Sequence, residues 1–161
     1  MIEIQRMRMS VAVVIAVLLT VPFVHQEAEA QPAGRMQVLV ADLTPSGDAD
    51  EDFGRDLADE LRDRIDIPTH VAMSDDDIDD AAREYDMRLR DLNCVLSQQL
   101  ASILEVPMVF CGDYEQSGDM FEYSGQFITI PAGERFAVES QMISEDDIEV
   151  AVGHIMEYFE A

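Results

Sequence analysis

The chain has 161 residues, with 34 acidic side chains against 10 basic ones, all of them arginine, and a formal net charge of −24 at pH 7. Such a surface repels nucleic acid and anionic lipid, because both need lysine or arginine to replace their counterions. It attracts cations and basic partners, and it is also typical of proteins from salt-loving organisms, in which salt screens the repulsion between carboxylates.

The first thirty residues contain the three parts of a secretory signal peptide. Arg6 and Arg8 precede an apolar run over residues 11–24, and Ala28 and Ala30 form an A-x-A cleavage site. The run is shorter than the ~20 residues that span a bilayer, so we expect cleavage after Ala30 rather than a retained membrane anchor. The protein is then periplasmic or secreted, with residues 31–35 as a linker and residues 36–161 as a single acidic domain.

Hydrophobic spacing in the first half of this domain predicts alternating strands and helices. Residues 36–42 form an apolar strand, residues 52–66 a helix with its solvent face over residues 56–63, and residues 69–73 a short strand. Ser74 and Asp77 have the spacing of a capping box that begins a second helix. The buried stripe of that helix is expected to contain Ile78, Ala82, Tyr85, Leu89 and Leu92.

The segment over residues 93–112 organises the predicted fold. Residues 93–105 have helical periodicity, and Pro107 separates them from a strand over residues 108–112. Apolar side chains point to both faces of this strand, which predicts a position in the middle of the sheet. The helix is expected to bury Val95, Leu96, Leu100, Ile103 and Leu104.

The two cysteines, Cys94 and Cys111, lie at the ends of this helix–strand unit. Exported proteins can form disulfide bonds, and a helix that packs back beside the following strand brings the two residues within reach. The alternative is a pair of buried free thiols. A C-x-x-C motif is absent, which disfavours thiol redox catalysis.

The last part of the chain predicts an antiparallel meander followed by a helix. Residues 120–130 and 135–142 alternate as strands, and Gly125 marks a bulge or a close contact within the first of them. Ser144 begins the last helix with a second capping box. The complete order is β-α-β-α-α-β-β-β-α, which predicts an α/β (α+β) sandwich with a mixed sheet of about five strands.

This order and several short stretches resemble the small domain at the N-terminus of TolB-type periplasmic proteins, and the CsgG-like and TPR-associated envelope domains. The matching stretches are residues 36–42 (MQVLVAD), Leu100-Ala101, residues 109–112 (VFCG), the Gly118 hairpin and residues 132–134 (AGE). The resemblance covers nearly all of the mature chain and implies a protein-interaction module of the cell envelope. Such modules are often joined to a β-propeller or TPR helices; we expect this chain to work alone or as a detached module.

Asp48, Asp50 and Asp52 are the candidates for a metal site. Carboxylates at alternate positions, with Asp59 at the twelfth, are typical of a calcium-binding loop. The sixth position of such a loop is glycine, but here it is Phe53, which begins the apolar ridge of the predicted helix. We therefore expect these acids to cap the helix N-terminus, with weak cation binding as the alternative.

Catalytic motifs do not emerge from the sequence. His70 and His154 lack metal-ligand spacing and neither adjoins a nucleophile motif, while a chain without lysine cannot form a Walker loop. We expect no enzymatic activity, no cofactor and no small-molecule substrate. Arg83, Arg88 and Arg90 form a basic cluster, which either docks an acidic partner or pairs with acids along its own helix.

The sequence therefore predicts a non-enzymatic, exported protein-interaction or scaffolding domain of the cell envelope. Its partner would be an envelope protein, bound through an edge strand of the sheet or in an apolar groove. The alternative function is that of an acidic secreted protein that binds divalent cations.

Overall fold

A computed structural model describes residues 34–159 of the chain, with only the backbone at Glu139. The predicted signal peptide and residues 31–33 of the predicted linker lie outside this range. Within it, none of the helices is both long enough and apolar enough to cross a membrane.

The secondary structure follows the predicted order, with one additional strand. The strands are β1 (Met36–Val40), β2 (Thr44–Ser46), β3 (His70–Ala72), β4 (Met108–Ser117), β5 (Met120–Thr129) and β6 (Arg135–Ser144). The helices are α1 (Glu51–Arg64), α2 (Asp75–Glu84), α3 (Cys94–Ile103) and α4 (Ile148–Met156). Short 3₁₀ turns occupy Leu89–Asp91, Glu145–Asp147 and Glu157–Phe159.

The six strands form one mixed sheet. Its order is β3-β1-β4-β5-β6, and β2 pairs with β4 beyond the end of β1. β1 is parallel to β3 and β4, whereas β4, β5 and β6 form an antiparallel meander. The predicted fold class is confirmed, although the sheet has six strands where about five were expected. β2 falls between the predicted strand over residues 36–42 and the predicted helix over residues 52–66, in a stretch where Pro45 and Gly47 are typical of a loop. Its parallel pairing with residues 113–115 is a tertiary contact that these residues do not reveal.

The first half of β4 lies at the centre of the sheet, as predicted. Met108, Val109, Phe110 and Cys111 are all buried, and β4 pairs with β1 on one side and β5 on the other. The side chains of Met108 and Phe110 join a core under α1 and α4. Those of Val109 and Cys111 join a second core under α2 and α3. The sheet therefore separates two apolar layers, each covered by its own pair of helices.

Two glycines permit close approaches in the first core. A Cβ atom at Gly54 of α1 would lie 2.3 Å from the Leu43 carbonyl oxygen, so only glycine lets this helix sit against the loop after β1. A Cβ atom at Gly125 of β5 would lie 2.6 Å from the Phe110 ring. The register between β5 and β6 also shifts between Tyr123 and Gly125, but the extra residue lies on β6, where residues 139 and 140 face Ser124 alone. Gly125 therefore marks the predicted close contact, and the bulge belongs to the neighbouring strand.

The buried face of α3 differs from the predicted one. Val95 is 63% exposed and Ile103 is 46% exposed, whereas Ser97, Leu100 and Ala101 are buried. Cys94 faces the second core, and this sets the side of the helix that meets the sheet. The small Ser97 is tolerated there because its hydroxyl donates to the Asn93 carbonyl oxygen at 2.8 Å.

Candidate functional site

A groove lined by four arginines lies beside the carboxyl end of β1. We call it the arginine groove; its volume is about 550 Å³. Its walls come from α1, from Asp42 two residues after β1, and from the segment that includes the end of α2. The lining residues are Asp42, Arg55, Asp79, Arg83, Met87, Arg88, Leu89 and Arg90. In open α/β sheets, ligands commonly bind outside the carboxyl ends of parallel strands, where the strand order reverses. β1 lies at such a point, between β3 and β4.

The end of α2 brings the predicted arginine cluster to this groove. The helix ends at Glu84 and does not continue to Leu92 as predicted, because Asp86 adopts a left-handed conformation with φ of 57°. The N–H of Met87 then donates to the Ala82 carbonyl oxygen at 2.8 Å, as in a Schellman motif. The turn places Arg88 and Arg90 beside Arg83 rather than around a helix.

Tyr85 is the residue most affected by this early helix end. It was predicted to lie in a buried stripe, but it is 41% exposed. Ile78 and Ala82 keep their predicted burial within α2, and Leu92 is buried from beyond the 3₁₀ turn. Hydrophobic spacing identified three of the five predicted residues as buried, Ile78, Ala82 and Leu92, but it did not locate the helix end. A positive φ is uncommon for any residue other than glycine, so Asp86 alone does not predict the break.

Arg55 was missed by sequence reasoning and completes the groove from α1. It pairs with Asp52 at 2.9 Å and with Asp56 at 3.5 Å, and these carboxylates raise the pKa of Arg55 above its usual value. The sequence signal that could have identified Arg55 is its position in the first half of the helix after β1, because that region lies near the carboxyl edge of the sheet.

The other three arginines differ in how far neighbouring acids neutralise them. Arg83 pairs with Asp79 and Asp80, one helical turn away. Arg90 lies 4.0 Å from Asp91, at the limit of an ion pair. Arg88 has no ion pair with any carboxylate placed in residues 34–159. The predicted alternative of local pairing thus describes Arg83 better than it describes Arg88.

Arg62 adds a buried ion-pair network next to the groove, on a stretch of α1 predicted to face solvent. Its guanidinium donates to the Val40 carbonyl oxygen at 2.9 Å and to Asp42 Oδ1 at 2.7 Å. It also pairs with Asp59 at 2.5 Å and Asp75 at 3.3 Å. One side chain therefore joins α1, the end of β1 and the start of α2, and it fixes Asp42 at the groove wall.

The three acids considered for calcium do not form a common site. Asp50 is the N-cap of α1, and its Oδ1 accepts the Asp52 N–H at 3.0 Å. Its carbonyl oxygen accepts the Tyr114 hydroxyl at 2.5 Å, and Phe53 is buried against Phe121. Over the residues that the structure describes, including Asp48, no group of three or more potential ligands is placed to hold a metal ion.

Cys94 and Cys111 are joined in the structure. Their sulfur atoms lie 2.01 Å apart and their Cα atoms 5.2 Å apart, which is within the range for a disulfide. The bond links the first residue of α3 to the central strand β4. It lies in the second core and is a structural connection away from the arginine groove.

His70 and His154, the histidines within residues 34–159, lie in separate aromatic and helical surroundings. His70 contacts the Phe159 ring at a centroid distance of 4.7 Å, and burial lowers its pKa. His154 Nδ1 lies 3.6 Å from Glu157 Oε2. Within the described range, no carboxylate comes within 4 Å of His70.

No protein-family model matches this chain, and no curated protein is significantly similar to it in sequence. Among solved structures it is similar to lipoprotein GNA1162 from Neisseria meningitidis, with a TM-score of 0.59 and 11% identity over 77% of this chain and 96% of that one. It is also similar to the LpoB C-terminal domain from Salmonella enterica, with a TM-score of 0.52 and 11% identity over 68% and 82%. At these identities the likeness shows a shared fold alone.

TolB from Acinetobacter baumannii is matched with a TM-score of 0.47 and 11% identity, over 75% of this chain and 26% of that one. This score is too low to indicate a common fold. The expected resemblance is confirmed only in its coarser form, as a likeness in fold to the LpoB C-terminal domain and to a lipoprotein. The finer assignment to TolB N-terminal or CsgG-like domains is not shown.

Proposed function

We propose that this chain is an exported, non-enzymatic protein-interaction domain of the cell envelope that binds an acidic segment of a partner protein in the arginine groove. The observation that carries the proposal is the distribution of positive charge. Residues 34–159 contain eight arginines, and four of them line this one groove in a chain of net charge −24. The signal-like leader supports export, and the lipoprotein among the structural neighbours supports an envelope setting.

The chemistry of the groove suits a carboxylate-bearing segment. A guanidinium binds a carboxylate through two parallel hydrogen bonds, and Arg88 is free of carboxylates in the described chain and can do so. Met87 and Leu89 add apolar contact between the arginines. The acids that already pair with Arg55 and Arg83 would be exchanged for those of the partner, so specificity would depend mainly on Arg88 and Arg90.

The proposal is tested by capture from an envelope extract with Arg88→Glu beside a matched control. Arg64→Glu makes the same change in net charge at an α1 residue that pairs with Glu60 outside the groove. We expect the wild type and Arg64→Glu to retain the same partner, and Arg88→Glu to lose it. The cross-linked segment of that partner should be rich in Asp and Glu. Equal capture by both variants would contradict the proposal.

A further inference from the structure

β6 is an open edge of the sheet. It has ten residues and pairs with β5 along its length, and no strand of the described chain pairs with its other side. The outer side of an edge strand presents a row of unpaired N–H and C=O groups, to which another strand can add. The length of β6 makes it a substantial template for such pairing.

The opposite edge of the same sheet is closed. β3 has only three residues, and the segment after α1 folds over its outer side. There the Ala72 N–H donates to the Ile65 carbonyl oxygen at 2.8 Å, and the Ile67 N–H donates to the His70 carbonyl oxygen at 3.0 Å. An isolated bridge between Asp66 and Val71 completes the cover. The fold thus protects one edge and leaves the other open.

β6 also lacks most of the usual protection of an edge strand. Natural edges carry proline, lysine or pronounced bulges that prevent pairing with another chain. β6 contains neither proline nor lysine. It carries one bulge, at residues 139–140, and pairs regularly with β5 on both sides of it. Phe136 is 41% exposed and Met142 is 57% exposed, so apolar surface lies along the open edge.

The two faces at this edge differ in chemistry. Phe136 pairs with Phe127 on the face covered by α4, and its ring contacts the Tyr158 ring. On the opposite face, Met142 pairs with Glu122 of β5, and the Ser140 hydroxyl donates to Glu122 at 2.9 Å. Further acids flank β6 in sequence, at Glu134 before it and at Glu145, Asp146 and Asp147 after it. A strand added here would meet Phe136 on one face and, on the other, Met142 with the Glu122 carboxylate behind it.

We propose that β6 receives an extended segment of a partner protein in which basic residues alternate with apolar ones, as an additional strand of the sheet. The alternation follows from the strand period of two, which places one set of side chains on the face of Met142 and Glu122 and the other on the face of Phe136. Long basic side chains on the first face can reach past Met142 toward the Glu122 carboxylate. A second copy of this chain is a poorer occupant, since each copy carries a net charge of −24. The site is independent of the arginine groove and binds a partner of opposite charge.

The test uses a synthetic peptide of alternating lysine and valine, eight residues long, and the same peptide N-methylated at every backbone nitrogen. Both keep the charge, but only the first can donate backbone hydrogen bonds. We expect the first peptide to slow amide exchange in β6, observed by NMR. The N-methylated peptide should bind at least about tenfold more weakly, because it loses several backbone hydrogen bonds to β6.

Two exposed apolar residues provide matched variants. Met142→Lys places a positive charge at the open edge, whereas Val95→Lys places the same charge on the exposed side of α3. Only Met142→Lys should weaken binding of the alternating lysine–valine peptide. Equal binding of the two peptides, equal binding of an alternating glutamate–valine peptide, or no binding would overturn the proposal.

The full chain without peptide supplies a further check. Protection of the outer β6 amides in a protein that sediments as a dimer would identify a second copy as the occupant and overturn the proposal. The same protection in a monomer would identify a segment of this chain itself as the occupant, and this result would also overturn the proposal. Loss of the partner that depends on Arg88 would not change the result with the peptide. The proposal for the arginine groove and the proposal for β6 can therefore fail independently of each other.

Discussion

Arg62 concentrates several interactions in one side chain. It is almost fully buried, and it donates to a backbone carbonyl oxygen while pairing with carboxylates from three segments. Asp42, its most buried partner, would otherwise be a carboxylate removed from water without a counter-charge. Breaking a buried pair from one side is costly for this reason, even where the intact pair adds little net stability.

We predict that Arg62→Met lowers the free energy of unfolding by about 3–5 kcal/mol, because it leaves Asp42 buried and unpaired. Urea denaturation monitored by circular dichroism measures the loss. Arg64→Met is the matched control: it removes the same group from an exposed i, i+4 pair with Glu60 and should cost under about 1 kcal/mol. The double variant Arg62→Met, Asp42→Leu should recover part of the stability. Equal stability of the two single variants would contradict this explanation.

The burial of Arg62 could not be predicted from the sequence. It lies among acids on a helix whose apolar ridge is formed by Phe53, Leu57 and Leu61, and arginine in such a context is normally exposed. Its partners Asp42 and Asp75 are distant in sequence and approach only through the parallel pairing of β1 and β3. By contrast, Asp50 and Ser74 were recognised as caps, since their partners lie two or three residues away.

At the scale of elements, α3 is attached to the sheet by both packing and a covalent bond. Cys94 and Cys111 are separated by 17 residues, so the bond closes a short loop that includes the whole helix. In the chain-entropy model, closing a loop of this size stabilises the folded state by about 3 kcal/mol.

We therefore expect Cys94→Ser, Cys111→Ser to lower the free energy of unfolding by about 2–4 kcal/mol. Unfolding of the wild type in urea, with and without a thiol reductant, supplies the comparison. The reduced wild type should match the double variant. If reductant leaves the wild-type transition unchanged while mass spectrometry shows two free thiols, the bond contributes nothing to stability.

Most elements could be predicted because local signals agreed with tertiary structure. The apolar strand β4, the caps of α1 and α2 and the meander are all encoded over short distances. β2 and the end of α2 were not predictable in this way, because one depends on pairing with β4 and the other on the backbone of Asp86. The same turn gives the arginine groove its form, so three of its arginines were predicted as a cluster but the groove was not.

At the scale of the whole molecule, the charge of −24 opposes the compact state through repulsion between carboxylates. Raising NaCl from 0.05 to 0.5 M should screen this repulsion and raise the melting temperature by about 4–8 °C, equivalent to about 1 kcal/mol. Calorimetry provides the measurement. Addition of 1 mM CaCl₂ at the higher salt concentration should cause no further rise.

Calcium titration also separates the two functional hypotheses from the sequence. A further rise that saturates at micromolar calcium and disappears in Asp48→Asn, Asp52→Asn would show that the acidic loop binds the ion. In that case the cation-binding alternative would replace the proposed interaction domain. Asp50 is left unchanged in this variant because its side chain caps α1.

The link between Cys94 and Cys111 has one more consequence, for the resistance of the fold to proteolysis. A protease that cuts the backbone anywhere between these two residues opens a ring and releases no fragment. The pieces on either side stay tethered, with α3 still attached to the middle of the sheet. A single cut in this part of the chain would therefore leave one covalently joined molecule, heavier only by the added water. Such a molecule can keep its fold in the presence of a protease.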